Sequence, residues 1–257
     1  GAAVMTTDAH KPLVIKISGH ELDDAAYLGH FAAAITGLDQ PAIIVHGGGK
    51  EISALQTQMG IEPRYADGVR ITDAASLALV EMVLCGTVNK RLVRMLVAAG
   101  VDALGMSGVD RGLVRAAQMQ RDGVDMGFTG EVGAVRGDVL RGLLADGITP
   151  VIAPICLGED SALNVNADHV AGAVAAAVGA DQLIFLSNVS GVLADGALVP
   201  ALTPEQTERL IAAGTIFGGM IPKVRTALGA LEHGVARATI TDLAGLIAGG
   251  GTVFTRP

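Results

Sequence analysis

From residue 13 onward, short apolar runs alternate with longer stretches whose apolar positions recur at helical spacing. Strand-like runs fall at 13–17, 42–45, 103–106, 151–154, 183–186 and 238–240. Helical patterns occupy 25–35, 51–59, 73–99, 138–146, 168–178, 204–213, 223–233 and a short 242–247. Thr203, Pro204 and Gln206 supply an N-cap, a first-turn proline and a capping-box partner. Gly100, Gly147, Gly214 and Gly234 each follow a helical run, where a left-handed residue closes the helix. Between 113 and 135 the period drops to two around Arg121-Asp122-Gly123, which predicts an inserted β-hairpin. Buried strands alternating with helices predict an α/β fold with a mostly parallel sheet covered on both faces. Residues 1–12 carry no pattern and are expected to be unstructured or an expression remnant.

Composition narrows the picture. The 257 residues suit one large α/β domain or two closely joined lobes. Half are hydrophobic but only 3% are aromatic, so the core must rest on Ala, Val, Leu and Ile. A net charge of −8 argues against non-specific nucleic-acid binding, yet leaves room for an anion held by a few cations and backbone N–H groups. Cys85 and Cys156 form no metal or disulfide pattern and read as small core residues. The longest uncharged apolar stretch, 170–180, is far short of the about 20 residues of a membrane span. With no secretory signal pattern, a cytoplasmic protein away from the membrane is expected.

Candidate chemistry gathers where strands meet glycines. Lys16 ends an otherwise apolar strand, and Ile43-Ile44-Val45-His46-Gly47-Gly48-Gly49-Lys50 runs from a strand through a glycine turn into a helix. That turn has neither Walker A nor dinucleotide-fingerprint spacing, and a structural turn explains it as well as a ligand loop does. Arg70 precedes a helix that Asp73 can cap, either as a surface arginine or as a bidentate clamp for a carboxylate. Asn164-Val165-Asn166-Ala167-Asp168 leads into a helix that Asn166 can cap and whose dipole Asp168 can complement. Lys223 follows Gly218-Gly219 at a helix start, where a cation opposes the dipole and calls for a compensating anion. Two lysines and one acid able to share a site suit the transfer of a phosphoryl group.

In this order and at these intervals, the motifs resemble the amino-acid kinase family over essentially all of residues 13–257. They include Val14-Ile15-Lys16, His46-Gly47-Gly48-Gly49, Gly68-Val69-Arg70-Ile71-Thr72-Asp73, Val88-Asn89-Lys90, Asn164-Val165-Asn166-Ala167-Asp168 and Gly219-Met220-Ile221-Pro222-Lys223. The resemblance implies a three-layer α/β/α sandwich around a mainly parallel eight-stranded sheet, of the carbamate kinase-like type. Within one continuous domain it implies an N-terminal lobe over 13–179, holding an acyl amino acid and the dimer contact, and an ATP-binding lobe over 180–257. The branch it points to transfers the γ-phosphoryl of ATP to the side-chain carboxylate of N-acetyl-L-glutamate, the second step of arginine biosynthesis.

That resemblance also assigns roles. Lys16 and Lys223 would flank the transferred group and Asp168 would orient both. Gly47, Gly48, Arg70 and Asn164 would hold the amino-acid substrate, Gly48 also offering its N–H to the reacting groups. Gly19 would meet the phosphates. Ser187, Asn188, Gly191, Val192, Ile216, Gly218, Gly219 and Met220 would surround the nucleotide. Mg²⁺ would ride on the ATP phosphates without a protein ligand set. Ser18, Lys50 and Asn188 depart from the usual glycine, proline and aspartate. Other readings are a kinase for carrier-protein-bound aminoadipate or another N-acylglutamate, and a catalytically silent amino-acid or nucleotide sensor. A homodimer built on 73–99 is expected, insensitive to arginine because only about a dozen residues precede the first strand, and a PII-type regulatory partner is not.

Overall fold

A computed structural model describes residues 11–17 and 22–256. In chain order it holds β1 (Leu13–Ile17), α1 (Ala25–Thr36), β2 (Ala42–His46), α2 (Gly49–Gln58), β3 (Arg64–Ala66), β4 (Val69–Ile71) and α3 (Ala74–Glu81). A π-helical stretch, Met82–Val88, joins α3 to α4 (Asn89–Ala98). Then come β5 (Ala103–Ser107), β6 (Val114–Gln118), β7 (Thr129–Val135), α5 (Gly137–Ala145), β8 (Thr149–Ala153), β9 (Ile155–Leu157), β10 (Ala162–Val165) and α6 (Ala167–Val178). The last part carries β11 (Gln182–Leu186), β12 (Leu193–Ala194), β13 (Ala197–Leu198), β14 (Ala201–Leu202), α7 (Pro204–Ala212) and α8 (Met220–Glu232). It ends with β15 (Arg237–Thr241), α9 (Leu243–Ala248) and β16 (Thr252–Thr255).

The six apolar runs all enter one eight-stranded sheet, ordered β14-β16-β15-β11-β1-β2-β8-β5. Its pairings are parallel except β15 against β16. Sequence periodicity missed the β14–β16 edge pair, because each strand is short and lies in a glycine-rich or proline-flanked stretch. Within this sheet β11, β15, β16 and β14 lie together on one side of β1, and β2, β8 and β5 lie on the other, while β12 and β13 pair apart from it.

Side-chain alternation on β1 divides the core in two. Leu13, Ile15 and Ile17 join α1, α4 and α9 on one face, while Val14 packs with α6 and α8 on the other. Lys16 shares the Val14 face and therefore points toward the helix that begins beside Asp168. The expected hairpin forms from β6 and β7, which pair antiparallel. It does not stand alone: β9 and β10 close it into a four-stranded barrel.

Two helices differ from expectation. The continuous helix over 73–99 is split by the π turn, and the helix expected from Lys223 begins three residues earlier, at Met220. The caps follow the sequence. Asp73, Asn166 and Thr203 each cap through the side chain, and Gly100, Gly147, Gly214 and Gly234 all have positive φ. Among the described residues, no helix is long and apolar enough to cross a membrane. Ser18, Gly19 and residues 1–10 lie outside the described residues.

Candidate active site

Asn166 turns the chain from β10 into α6. Its Oδ1 accepts the Asp168 N–H at 2.7 Å, which fixes the first turn and sets the Asp168 carboxylate over the sheet. Lys16, on the facing side of β1, forms an ion pair with Asp168 Oδ1 at 2.7 Å. The lysine side chain is only 10% exposed, so the pair substitutes for lost hydration and is not a surface contact. Across a small cavity Lys223 projects from the first turn of α8. It donates to the Ser187 hydroxyl and, at 3.3 Å, to Asn188 Oδ1, both just beyond the end of β11.

Lys16, Asp168, Ser187 and Lys223 line a single cavity of about 130 Å³. Two cations and one carboxylate thus face a small space at the carboxyl ends of parallel strands, where open α/β sheets hold ligands. A larger hollow of about 840 Å³ runs between α6, α8 and β7 and reaches Asp168, but small side chains such as Gly172, Ala176 and Gly229 line much of it.

The second cluster lies beyond β2. Gly47 N–H donates to Ile17 O at 3.0 Å, tying the glycine turn to the end of β1. Arg70 sits on β4, half-buried, with its guanidinium donating to Gln56 Oε1, to Ser53 Oγ at 2.9 Å and to Gly49 O at 3.2 Å. It also lies 4.9 Å from the centroid of the Tyr65 ring. Burial pushes the Arg70 guanidinium below its ordinary pKa, with Tyr65 acting the other way. Asn164 Nδ2 donates to Thr72 Oγ1 at 3.0 Å, and the Thr129 hydroxyl donates to Arg70 O at 2.7 Å. Arg70 and Asn164 are thereby linked through Thr129 and Thr72 at the end of β4, whereas Gly47 is held by β1.

The remaining candidates divide. Gly218 and Gly219 have open space where a Cβ would stand, and Met220 opens α8. Gly191, Val192 and Ile216 are packed into the structure instead. A Cβ at Gly191 would lie 2.6 Å from Thr252 Oγ1, which accepts the Val192 N–H at 2.8 Å, and the Val192 and Ile216 side chains belong to the core. Gly48 is also buried, and a Cβ there would lie 2.6 Å from Leu84 Cδ2.

One family model, that of the amino acid kinase family, matches residues 11–242. The chain belongs to the amino acid kinase family. Within it, an acetylglutamate kinase of Roseiflexus sp. (strain RS-1) is 53% identical over 255 residues, covering 98% of each chain. Among solved structures, N-acetylglutamate synthase from Neisseria gonorrhoeae superposes with a TM-score of 0.82 at 24% identity, over 96% of this chain and 60% of that one. Carbamate kinase from Giardia lamblia superposes with a TM-score of 0.71 at 13% identity, over 98% and 100%. These two likenesses concern the fold. The amino-acid kinase fold is thus the scaffold that brings the two lysines to one cavity.

Two groups behind the site were given no role by the sequence reading. His46 is fully buried at the end of β2, with Nδ1–H donating to Gly47 O at 2.8 Å and Nε2 accepting from Asn89 Nδ2 at 3.1 Å. Burial holds the imidazole neutral, with its pKa lowered to about 4. The signal was present as a histidine ending a buried strand, but only the fold supplies its partner 43 positions away. Gln56 was the other: an amide on an amphipathic helix reads as solvent-facing, yet it is buried under Arg70.

Proposed function

We infer that this protein is a kinase that transfers the γ-phosphoryl of ATP to the side-chain carboxylate of N-acetyl-L-glutamate, in arginine biosynthesis. The observation that carries the chemistry is the cavity lined by Lys16, Asp168 and Lys223. The relatives named acetylglutamate kinase support the choice of substrate.

The reaction brings a carboxylate against a phosphate, so positioning and neutralisation of charge supply most of the rate. Lys16 and Lys223 would stabilise the oxygens of the phosphoryl group in flight, one approaching from β1 and the other from the start of α8. Asp168, held in ion pair with Lys16, organises that lysine. The attacking carboxylate is already ionised at neutral pH, so no general base is required. Arg70 and Asn164 would hold the carboxylate that does not react, and Gly47 and Gly48 would close around the reacting end. ATP would lie over the 187–188 segment and the Gly218-Gly219 turn. Gly191, Val192 and Ile216 would shape that floor from within the core.

ATP brings Mg²⁺, which would screen the phosphate charge. Among the described residues Asp168 is the only carboxylate lining the cavity, which fits an ion ligated mainly by phosphate oxygens and water. A homodimer assembled on the α3–α4 face completes this reading. The decisive assay is ATP consumption dependent on N-acetyl-L-glutamate, with hydroxylamine trapping the acyl phosphate as a hydroxamate. Turnover with the acetylated substrate supports the assignment. ATP consumption only with a larger acyl-glutamate or aminoadipate would replace it, and none with any of them would remove it.

A further inference from the structure

Arg70 carries a positive charge in a half-buried position, and no acid among the described residues answers it. Every ion pair found among the described residues leaves it out. Its donors end on neutral acceptors: the Gln56 carboxamide oxygen, the Ser53 hydroxyl and the Gly49 carbonyl. Gln56 is the unusual member of this set. It is 1% exposed and one turn along α2 from the buried Ile52, at a position where helical periodicity calls for an apolar side chain. Its orientation is fixed from both ends. A guanidinium can only donate, so the amide oxygen must face Arg70. The amide nitrogen donates to Ser76 Oγ at 2.9 Å, and Ser76 is itself anchored by its N–H to Asp73 Oδ1 at 2.7 Å. A glutamate has nearly the same shape and would satisfy Arg70 as an ion pair, but it would also consume the charge.

We propose that Gln56 is a positioning and specificity residue for the acidic substrate, aiming the Arg70 guanidinium while leaving its charge for the substrate's non-reacting carboxylate. This rests on Arg70 being the carboxylate clamp. An arginine already paired with an acid offers an incoming carboxylate little net attraction and sets two like charges side by side. A neutral acceptor gives the same rigidity without that opposition, so the pocket is preorganised and still cationic. The amide therefore biases the site toward anionic substrates over amides or esters of the same size.

The test is steady-state kinetics with N-acetyl-L-glutamate and ATP on the full chain, with thermal melting of each variant. Gln56→Glu should raise KM for N-acetyl-L-glutamate by at least about tenfold, while kcat and KM for ATP stay within about twofold. Its Tm should not fall, because the new acid pairs with Arg70. Gln56→Met, neutral and similar in volume, should raise the same KM by less than Gln56→Glu does. An unchanged KM in Gln56→Glu, an equal rise for both substrates, or a Met variant as impaired as the Glu variant would overturn the proposal. So would a Gln56→Glu protein that melts well below wild type, since the ion pair would then not form. Arg70→Ala separates the two readings. If it leaves KM for N-acetyl-L-glutamate unchanged, the clamp itself falls. If it raises that KM while Gln56→Glu does not, only the role of Gln56 falls.

Discussion

Lys16 reaches the cavity from β1 and Lys223 from the first turn of α8, and each already has a polar partner in place. Replacing Lys223 with alanine should lower kcat by about 10²–10³, the scale of removing one preorganised electrostatic donor. Lys16→Ala should do much the same, and the double variant should lose far less than the product of the two, because both act on one phosphoryl group. Single-turnover rates of the four proteins test this, and strictly multiplicative losses would assign the lysines to separate steps. His46 gives a pH prediction. Its folded pKa of about 4 lies below the ordinary value of 6.5, so between those values the unfolded chain binds the extra proton. This contribution to stability is therefore complete above pH 6.5 and is lost as pH falls toward 4. It is on the order of 3 kcal/mol at most. Melting curves from pH 4.5 to 7.5 should show a steeper acid-side decline for wild type than for His46→Gln, and equal slopes would remove His46 as the cause.

At the scale of elements, the π turn over Met82–Val88 places Leu84 and Val88 directly against Gly48. An inserted residue of this kind reorients a helix locally and recurs at functional sites. Gly48→Ala should cost about 1–3 kcal/mol by overpacking. Leu84→Val should recover part of that loss in the double variant, measured by urea denaturation. A fully additive double variant would show that the contact does not limit Gly48. This element also marks the boundary of what could be read from the sequence. Strongly periodic stretches announced six strands of the central sheet and every long helical region, and the caps at Asp73, Asn166 and Thr203 were legible from residue type. The π turn was not, since its apolar pattern continues that of the flanking helices. β9, β10, β14 and β16 were not legible either, because strands of two to four residues carry too few alternations. In the site, the motif residues were visible one by one, whereas the burial of Gln56 and the pairing of His46 with Asn89, which stand in two separate motifs, depend on contacts that only the packed fold creates.

For the whole molecule, the α3–α4 region leaves Met82 and Val97 exposed, and the adjoining edge strand β5 exposes Leu104. With the edge of β5 unpaired in the sheet order, this face is the proposed dimer contact. Sedimentation should give a dimer for wild type and a monomer for Met82→Glu combined with Val97→Glu, with a dimeric double variant placing the contact elsewhere. The order of strands also governs how the chain is made. β1 is the meeting strand of the sheet, pairing with β2 on one side and with β11 on the other. Leu13 waits for Gln182, 169 residues later by subtraction. At translation rates of about 5–20 residues per second, that edge stays bare for roughly 8–34 s on the ribosome. A chain halted before residue 182 would therefore present an apolar strand edge ready to pair with a neighbour, and nascent-chain stalling in that interval is where aggregation of this protein should begin.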